Sequence, residues 1–145
     1  MAKLRHIAIA SSNPDATADY FVKVFDMQIR GKIDSRNASG YYLTDGTMNM
    51  AILKFKNAPA AGVSLEFQGL HHIGFEVEDL DATLTRCEAA GFGPRHDVNI
   101  AQGLGANPNK DNAEYKLTGP NGLMVDISQR GWVGSSAAAG HPQPK

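Results

Sequence analysis

Short apolar, β-branched runs alternate along this chain with stretches of helical spacing, and the alternation occurs twice in the same order. Leu4 to Ala10 and His71 to Val77 have the composition of strands. Each run is followed by a helix start. Asn13 with Pro14 provides a cap and a first helical residue in one case, and Asp79 a cap in the other. Thr17, Phe21, Val24 and Phe25 then recur at intervals of three and four, as do Leu80, Leu84 and Cys87, which predicts one buried stripe per helix. Gly91 closes the second helix as a left-handed cap. Strand-like segments follow at 28–33, 40–43 and 49–55, and again at 95–100, 114–118 and 123–128. Asp45-Gly46 and Asn121-Gly122 are hairpin turns, since both dipeptides tolerate positive φ. The pattern predicts two βαβββ modules.

The two sets are also copies in sequence. At a constant offset of 66, residues 6–17 (HIAIASSNPDAT) lie over residues 72–83 (HIGFEVEDLDAT) with five of twelve positions identical, including the opening His-Ile. Tyr41 to Thr44 echoes Tyr115 to Thr118 at an offset of 74. An internal repeat of this kind points to one domain, 1–130, made of module one (3–56), a linker (57–69) and module two (70–130). The linker is rich in Ala and Gly and ends in a strand-like piece around 63–67. Residues 131–145 have the composition of a flexible tail, against which Trp132 is the one large apolar group to pack back.

Composition narrows the function. A length of 145 residues suits a single domain, and a net charge of -1 with no basic run provides no footprint for nucleic acid. The longest apolar stretches fall far short of the roughly 18 residues a membrane helix needs, and no signal-peptide core follows Met1. The expectation is a soluble, cytoplasmic protein with no nucleic-acid or membrane partner. Cys87 is the only cysteine, which excludes an intrachain disulfide and a cysteine-based zinc cage, and its helical position makes it a core residue. Chemistry is left to histidine, carboxylates, tyrosine or a bound cofactor.

A strand opening with histidine, a helix starting near Asp, three further strands, the repeat of the whole, and the sequence GPNGLMVD at 119–126 together resemble the vicinal oxygen chelate superfamily. That superfamily holds glyoxalase I, methylmalonyl-CoA epimerase, bleomycin and fosfomycin resistance proteins and extradiol dioxygenases. The stretch 70–80, LHHIGFEVEDL, is similar to the second-module opening of many members. The resemblance implies an α+β fold in which two βαβββ modules form a cupped mixed β-sheet. It further implies one divalent transition metal (Fe, Mn, Zn, Ni or Co) held by His6, His72 and Asp126, and a homodimer. Asp126 stands where members usually carry Glu. The fourth ligand that glyoxalase I and the epimerase take from the last strand of module one is missing: the turn alignment places Met50 there, with Asn49 and Ala51 one residue either side. Asn49 and Met50 are thus candidates to contact substrate.

The implied activity is metal-dependent chemistry of dioxygenase, lyase or isomerase type on a small oxygen-bearing substrate. The alternatives are a non-catalytic binding protein of bleomycin-resistance type and an epimerase-like isomerase. Strand alternation puts Glu76 on the face of His72, as a candidate general base, and His71 on the other. Tyr115, with its repeat counterpart Tyr41, is a candidate to orient substrate or donate a proton. His96 reads as a surface residue and the glycine-rich segment 103–110 as a rim or lid, without the pattern of a phosphate-binding loop.

Overall fold

Seven strands hydrogen-bond into one mixed sheet. The computed structural model describes residues 1–104 and 114–135. In chain order the elements are β1 (Lys3–Ala10), α1 (Pro14–Phe25), β2 (Gln28–Asp34), β3 (Ala38–Thr44), β4 (Asn49–Phe55), α2 (Ala58–Ala61), β5 (Gly69–Glu76), α3 (Leu80–Ala89), α4 (His96–Ala101), β6 (Tyr115–Thr118) and β7 (Met124–Ser128). The strand order β2-β3-β4-β1-β5-β7-β6 places the two modules side by side, joined by antiparallel pairing of β1 with β5. Within each module the first strand runs parallel to the last, β1 to β4 and β5 to β7. This is the pair of modules expected from the repeat, in the α+β cupped sheet that the family resemblance implies.

The local signals act as the sequence suggests. The Asn13 and Asp79 side chains accept from Ala16 N and Ala82 N at the helix starts. Asn121 and Gly122 take φ of 58° and 76°, the left-handed pair a tight hairpin turn requires. One face of the sheet is covered by the helices. Leu80, Leu84 and Cys87 of α3 pack on Val77, Tyr115, Leu117 and Ile127, while Ala18, Phe21 and Val22 of α1 pack on Leu43, Met50 and Ile52. Val24 and Phe25, expected in the α1 stripe, are exposed instead. The other face is the cup.

Three expected elements differ. Residues 95–100 form α4 rather than a strand, because Val98 is wholly buried beside α2 while Ile100 points to solvent. The free edge of β6 is then met by a short antiparallel bridge of Pro94 with Leu117 and by α4, not by a full strand. Asn99 donates through Nδ2 to Lys116 O (3.0 Å) and accepts from Lys116 N (2.9 Å), and Arg95 N also donates to Lys116 O (2.9 Å). Residues 63–67 form a turn, closed by Phe67 N to Ser64 O, and the linker carries the short α2 instead. Residues 131–135, expected to begin a tail, are packed on the cup face, with Trp132 only 2% exposed. His141 and residues 105–110 of the glycine-rich segment lie outside the described residues. Among the described residues no helix is long and apolar enough to cross a membrane.

Candidate metal centre

The centre of the cup is built by the paired first strands. In the register of β1 with β5, His6 lies opposite Gly74 and Ala8 opposite His72, so the two histidines sit diagonally across the seam between the modules. Each is preceded by a bulge. The pairing passes from Leu4–Phe75 to His6–Gly74, leaving out Arg5, and from Ala8–His72 to Ile9–Leu70, leaving out His71. Bulges break strict alternation and re-aim side chains beside them. Asp126 comes from β7, next to Gly74. The result is a cluster of His6, His72 and Asp126 with one donor atom from each within 4.8 Å of the others, all buried. His6 Nε2 is 3.0 Å from His72 Nε2, and Asp126 Oδ2 is 3.1 Å from His72 Nε2 and 3.8 Å from His6 Nε2.

Hydrogen bonds on the far sides of the rings fix which nitrogens carry protons. Asn49 Nδ2 donates to the carbonyl of Val133 (2.8 Å), so its Oδ1 is the atom that faces His6 Nδ1 at 2.6 Å. An amide oxygen only accepts, so Nδ1 carries the proton and the neutral ring presents a bare Nε2. The second chain of bonds runs the same way. His71 Nε2 donates to the carbonyl of Ala61 (2.7 Å), which leaves its Nδ1 to accept from His72 Nδ1 at 2.7 Å. His72 Nε2 is then bare too. Two lone pairs and a carboxylate oxygen converge on one buried point, an arrangement that calls for a cation.

The electrostatics agree. Burial, reinforced by the neighbouring His72, lowers the His6 pKa to about 3, and burial lowers that of His71 to about 4. For Asp126 burial is the largest single influence and acts upward, but the Lys116 ammonium together with His72 and His6 outweighs it and holds the carboxyl well below its ordinary value. Lys116 Nζ stands 2.8 Å from Asp126 Oδ1 and donates to the carbonyl of Glu114 at 2.8 Å. Neither Asp126 oxygen has a well-aligned donor, although both are buried. Two ligands each about 2.1 Å from an ion and at right angles to it are about 3.0 Å apart, close to the two spacings around His72 Nε2 and shorter than the 3.8 Å between His6 and Asp126. The residues therefore fit a divalent transition metal held by two imidazoles and one carboxylate oxygen.

The register also locates the absent fourth ligand. Asp126 pairs with Gly74, and the equivalent pair in module one is Ala8 with Ala51. Ala51 thus occupies the position, and its methyl lines a cleft of about 220 Å³ beside the histidines. Ile33, Leu53 and Phe55 give this cleft an apolar wall, and Tyr42, Glu114 and Lys116 a polar one.

Other expected residues are placed differently. Met50 packs in the core under α1. Tyr115 is 1% exposed in the core under α3, since odd positions of β6 face the helix. Tyr41 likewise faces α1 and donates to Asp15, and Tyr42 is the phenol that reaches the cup. Glu76 lies beyond Trp132, its carboxylate against the backbone of Gly131, in a depression shared with Lys3 and Glu78. His71 does not point away from His72; the bulge turns its ring toward it. Sequence reading missed Tyr42, Glu114, Lys116 and Trp132. The first three share strand parity with cup residues, a signal available once the register is known. Trp132 lies past the second module and was expected only to pack back, with nothing in the repeat to tie it to His6.

A family model describing the Glyoxalase/Bleomycin resistance protein/Dioxygenase superfamily matches residues 3–127. The chain belongs to this superfamily. No curated protein sequence matches it. Among solved structures, a methylmalonyl-CoA epimerase in complex with methylmalonyl-CoA and NH4+ is similar at 17% identity with a TM-score of 0.67, covering 99% of both chains. A variant of the Streptomyces coelicolor methylmalonyl-CoA epimerase in complex with 2-nitronate-propionyl-CoA is 17% identical (TM-score 0.65; 86% of this chain, 92% of that one). The Mycobacterium tuberculosis methylmalonyl-CoA epimerase is 14% identical (TM-score 0.63; 86% and 85%). At such identities these are likenesses of fold within the superfamily.

Proposed function

We propose that this superfamily member is a metal-dependent enzyme of dioxygenase, lyase or isomerase type. In this reading His6, His72 and Asp126 hold one divalent transition metal (Fe, Mn, Zn, Ni or Co), and a small substrate with two neighbouring oxygens binds beside it. The convergence of two bare Nε2 atoms and the Asp126 carboxylate is the observation that carries the reading. A bound metal with open positions acts as a Lewis acid toward substrate oxygens and, if iron, toward dioxygen chemistry. The chain's own residues do the rest. The Lys116 ammonium stands 2.8 Å from Asp126 Oδ1 as an ion pair, and Oδ2 is the oxygen that faces the histidines. Ala51 leaves the space a fourth ligand would fill, so the substrate enters between Ala51 and the apolar wall. Glu114 takes the proton-moving role expected of Glu76, since it lines the cleft and burial raises its pKa above the ordinary carboxyl value.

The test is Co(II)-reconstituted protein titrated with acetohydroxamic acid, a small two-oxygen chelator. Bound Co(II) whose visible bands change saturably with the probe is the expected result. Bound Co(II) that ignores the probe contradicts the substrate mode, and no uptake of cobalt contradicts the metal reading.

A second reading is favoured by one observation, the buried ion pair of Lys116 with Asp126, which already neutralises the carboxylate. On it the cup is a metal-free binder of small apolar molecules, recognised by ligand affinity that survives chelator treatment. A homodimer and a cytoplasmic location belong to both readings; sedimentation equilibrium checks the first.

A further inference from the structure

Residues 131–135 follow the last strand and fold back across the cup, beyond the segment that the superfamily model matches. Their fit is built from both sides. The Trp132 indole stacks on the His6 imidazole at 4.6 Å between centroids and 4° between planes. Gly74 makes the space, since a Cβ there would lie 2.8 Å from both His6 Cβ and Trp132 Cη2. The Val133 carbonyl accepts from Asn49 Nδ2, and the Gly134 carbonyl accepts from Thr44 Oγ1 at 2.8 Å. Ser135 Oγ closes the turn, accepting from Trp132 N at 2.8 Å and donating to Trp132 O at 2.6 Å.

We propose that this strap is the positioning device for the His6 ligand, Trp132 fixing the plane of its ring and Val133, through Asn49, fixing its tautomer. The logic is one of forced directions. A backbone carbonyl accepts only, so Val133 turns the Asn49 amide; the amide oxygen accepts only, so it places the His6 proton on Nδ1. Without the strap the amide is free to flip and the imidazole to take either tautomer, one of which has no lone pair for a metal. Outer partners of this kind carry about 10–100-fold in metal affinity. The inference rests on the metal-binding reading above in its affinity arm, but the tautomer is a property of the metal-free protein.

The experiment compares wild type, Trp132→Ala and Trp132→Phe. In metal-free protein, ¹⁵N spectra of the imidazoles should show His6 as the Nδ1–H tautomer in wild type and Trp132→Phe, and a mixture in Trp132→Ala. Zinc affinity, read by competition with a chromophoric chelator, should fall about 10–100-fold in Trp132→Ala and recover largely in Trp132→Phe. Trp132 is the only tryptophan, so saturating Co(II) should also quench the wild-type emission strongly. A Trp132→Ala protein with the wild-type tautomer and affinity overturns the proposal. So does an Nε2–H tautomer in wild type, or bound cobalt that leaves the emission unchanged, and these two readouts decide even if Trp132→Ala does not fold. Wild type that binds no metal but shows the Nδ1–H tautomer, lost on removal of the indole, sinks the metal reading and leaves the strap's hold on His6 standing.

Discussion

Proton placement on three buried histidines is what makes an ordinary polar cluster a candidate ligand set. Asn49 is wholly buried and bonds at both ends, to His6 Nδ1 and Val133 O, so its removal frees the ring without opening the cup to solvent. Asn49→Ala is expected to weaken metal binding about 10–100-fold, measured by calorimetry. The same residues set an acid response. His6 has its pKa lowered to about 3 and His71 to about 4, below the ordinary value of 6.5, so between these limits the unfolded chain binds protons that the folded chain refuses. Stability therefore rises with pH across that window and is lost as pH falls from about 6.5 toward 3. Asp126, also lowered, adds a loss of the same sign below its ordinary value. Urea unfolding of metal-free protein at pH 7, 5.5 and 4.5 should show a steady fall in midpoint; a flat profile contradicts the buried neutral imidazoles.

At the scale of elements, the candidate ligand histidines owe their aim to defects in otherwise regular strands. A bulge at Arg5 and one at His71 precede the two metal-ligand candidates, and these positions are related by the same offset of 66 as the histidines themselves. That equivalence was legible in the sequence as the repeated His-Ile; the bulges were not, because alternation arguments assume an unbroken pleat. Hence His6, His72 and Asp126 were found from the repeat and the family pattern, while His71 was expected on the wrong side. The strand expected at 95–100 failed for another reason. Two apolar residues in alternation, Val98 and Ile100, cannot outvote a tertiary niche, and Val98 fills one beside Gly62 of the linker. The helix that results substitutes for a strand through Asn99, whose side chain meets both backbone groups of Lys116. Asn99→Ala leaves those buried groups without this partner and should destabilise the protein by about 1–3 kcal/mol, read from denaturant midpoints. Because Lys116 is the residue paired with Asp126, the same change should also loosen the site.

The whole molecule is a pseudo-symmetric cup made asymmetric by what covers and lines it. The strap crosses the cup over Thr44, Asn49, His6 and Gly74, so the cleft lies further along the strands of module one, by Ala51, Leu53 and Phe55, and Ala51 there stands in the place that Asp126 holds in module two. The repeat and its sheet were readable from the chain; the asymmetry was not, because it depends on register and on residues past the second module that composition alone assigns to a tail. Ala51→Glu should restore a fourth donor, tightening zinc binding while excluding acetohydroxamic acid from the cleft; unchanged binding of both would mean that Ala51 is not the vacant ligand position. The central claim, that His6, His72 and Asp126 form a metal site, is tested most directly by metal content. Protein purified without chelator, as wild type and His72→Ala, should be measured by mass spectrometry after reconstitution with Fe, Mn, Co, Ni or Zn. About one ion per wild-type chain and almost none in the folded variant is the predicted result. Equal metal in both, or none in either, would contradict it.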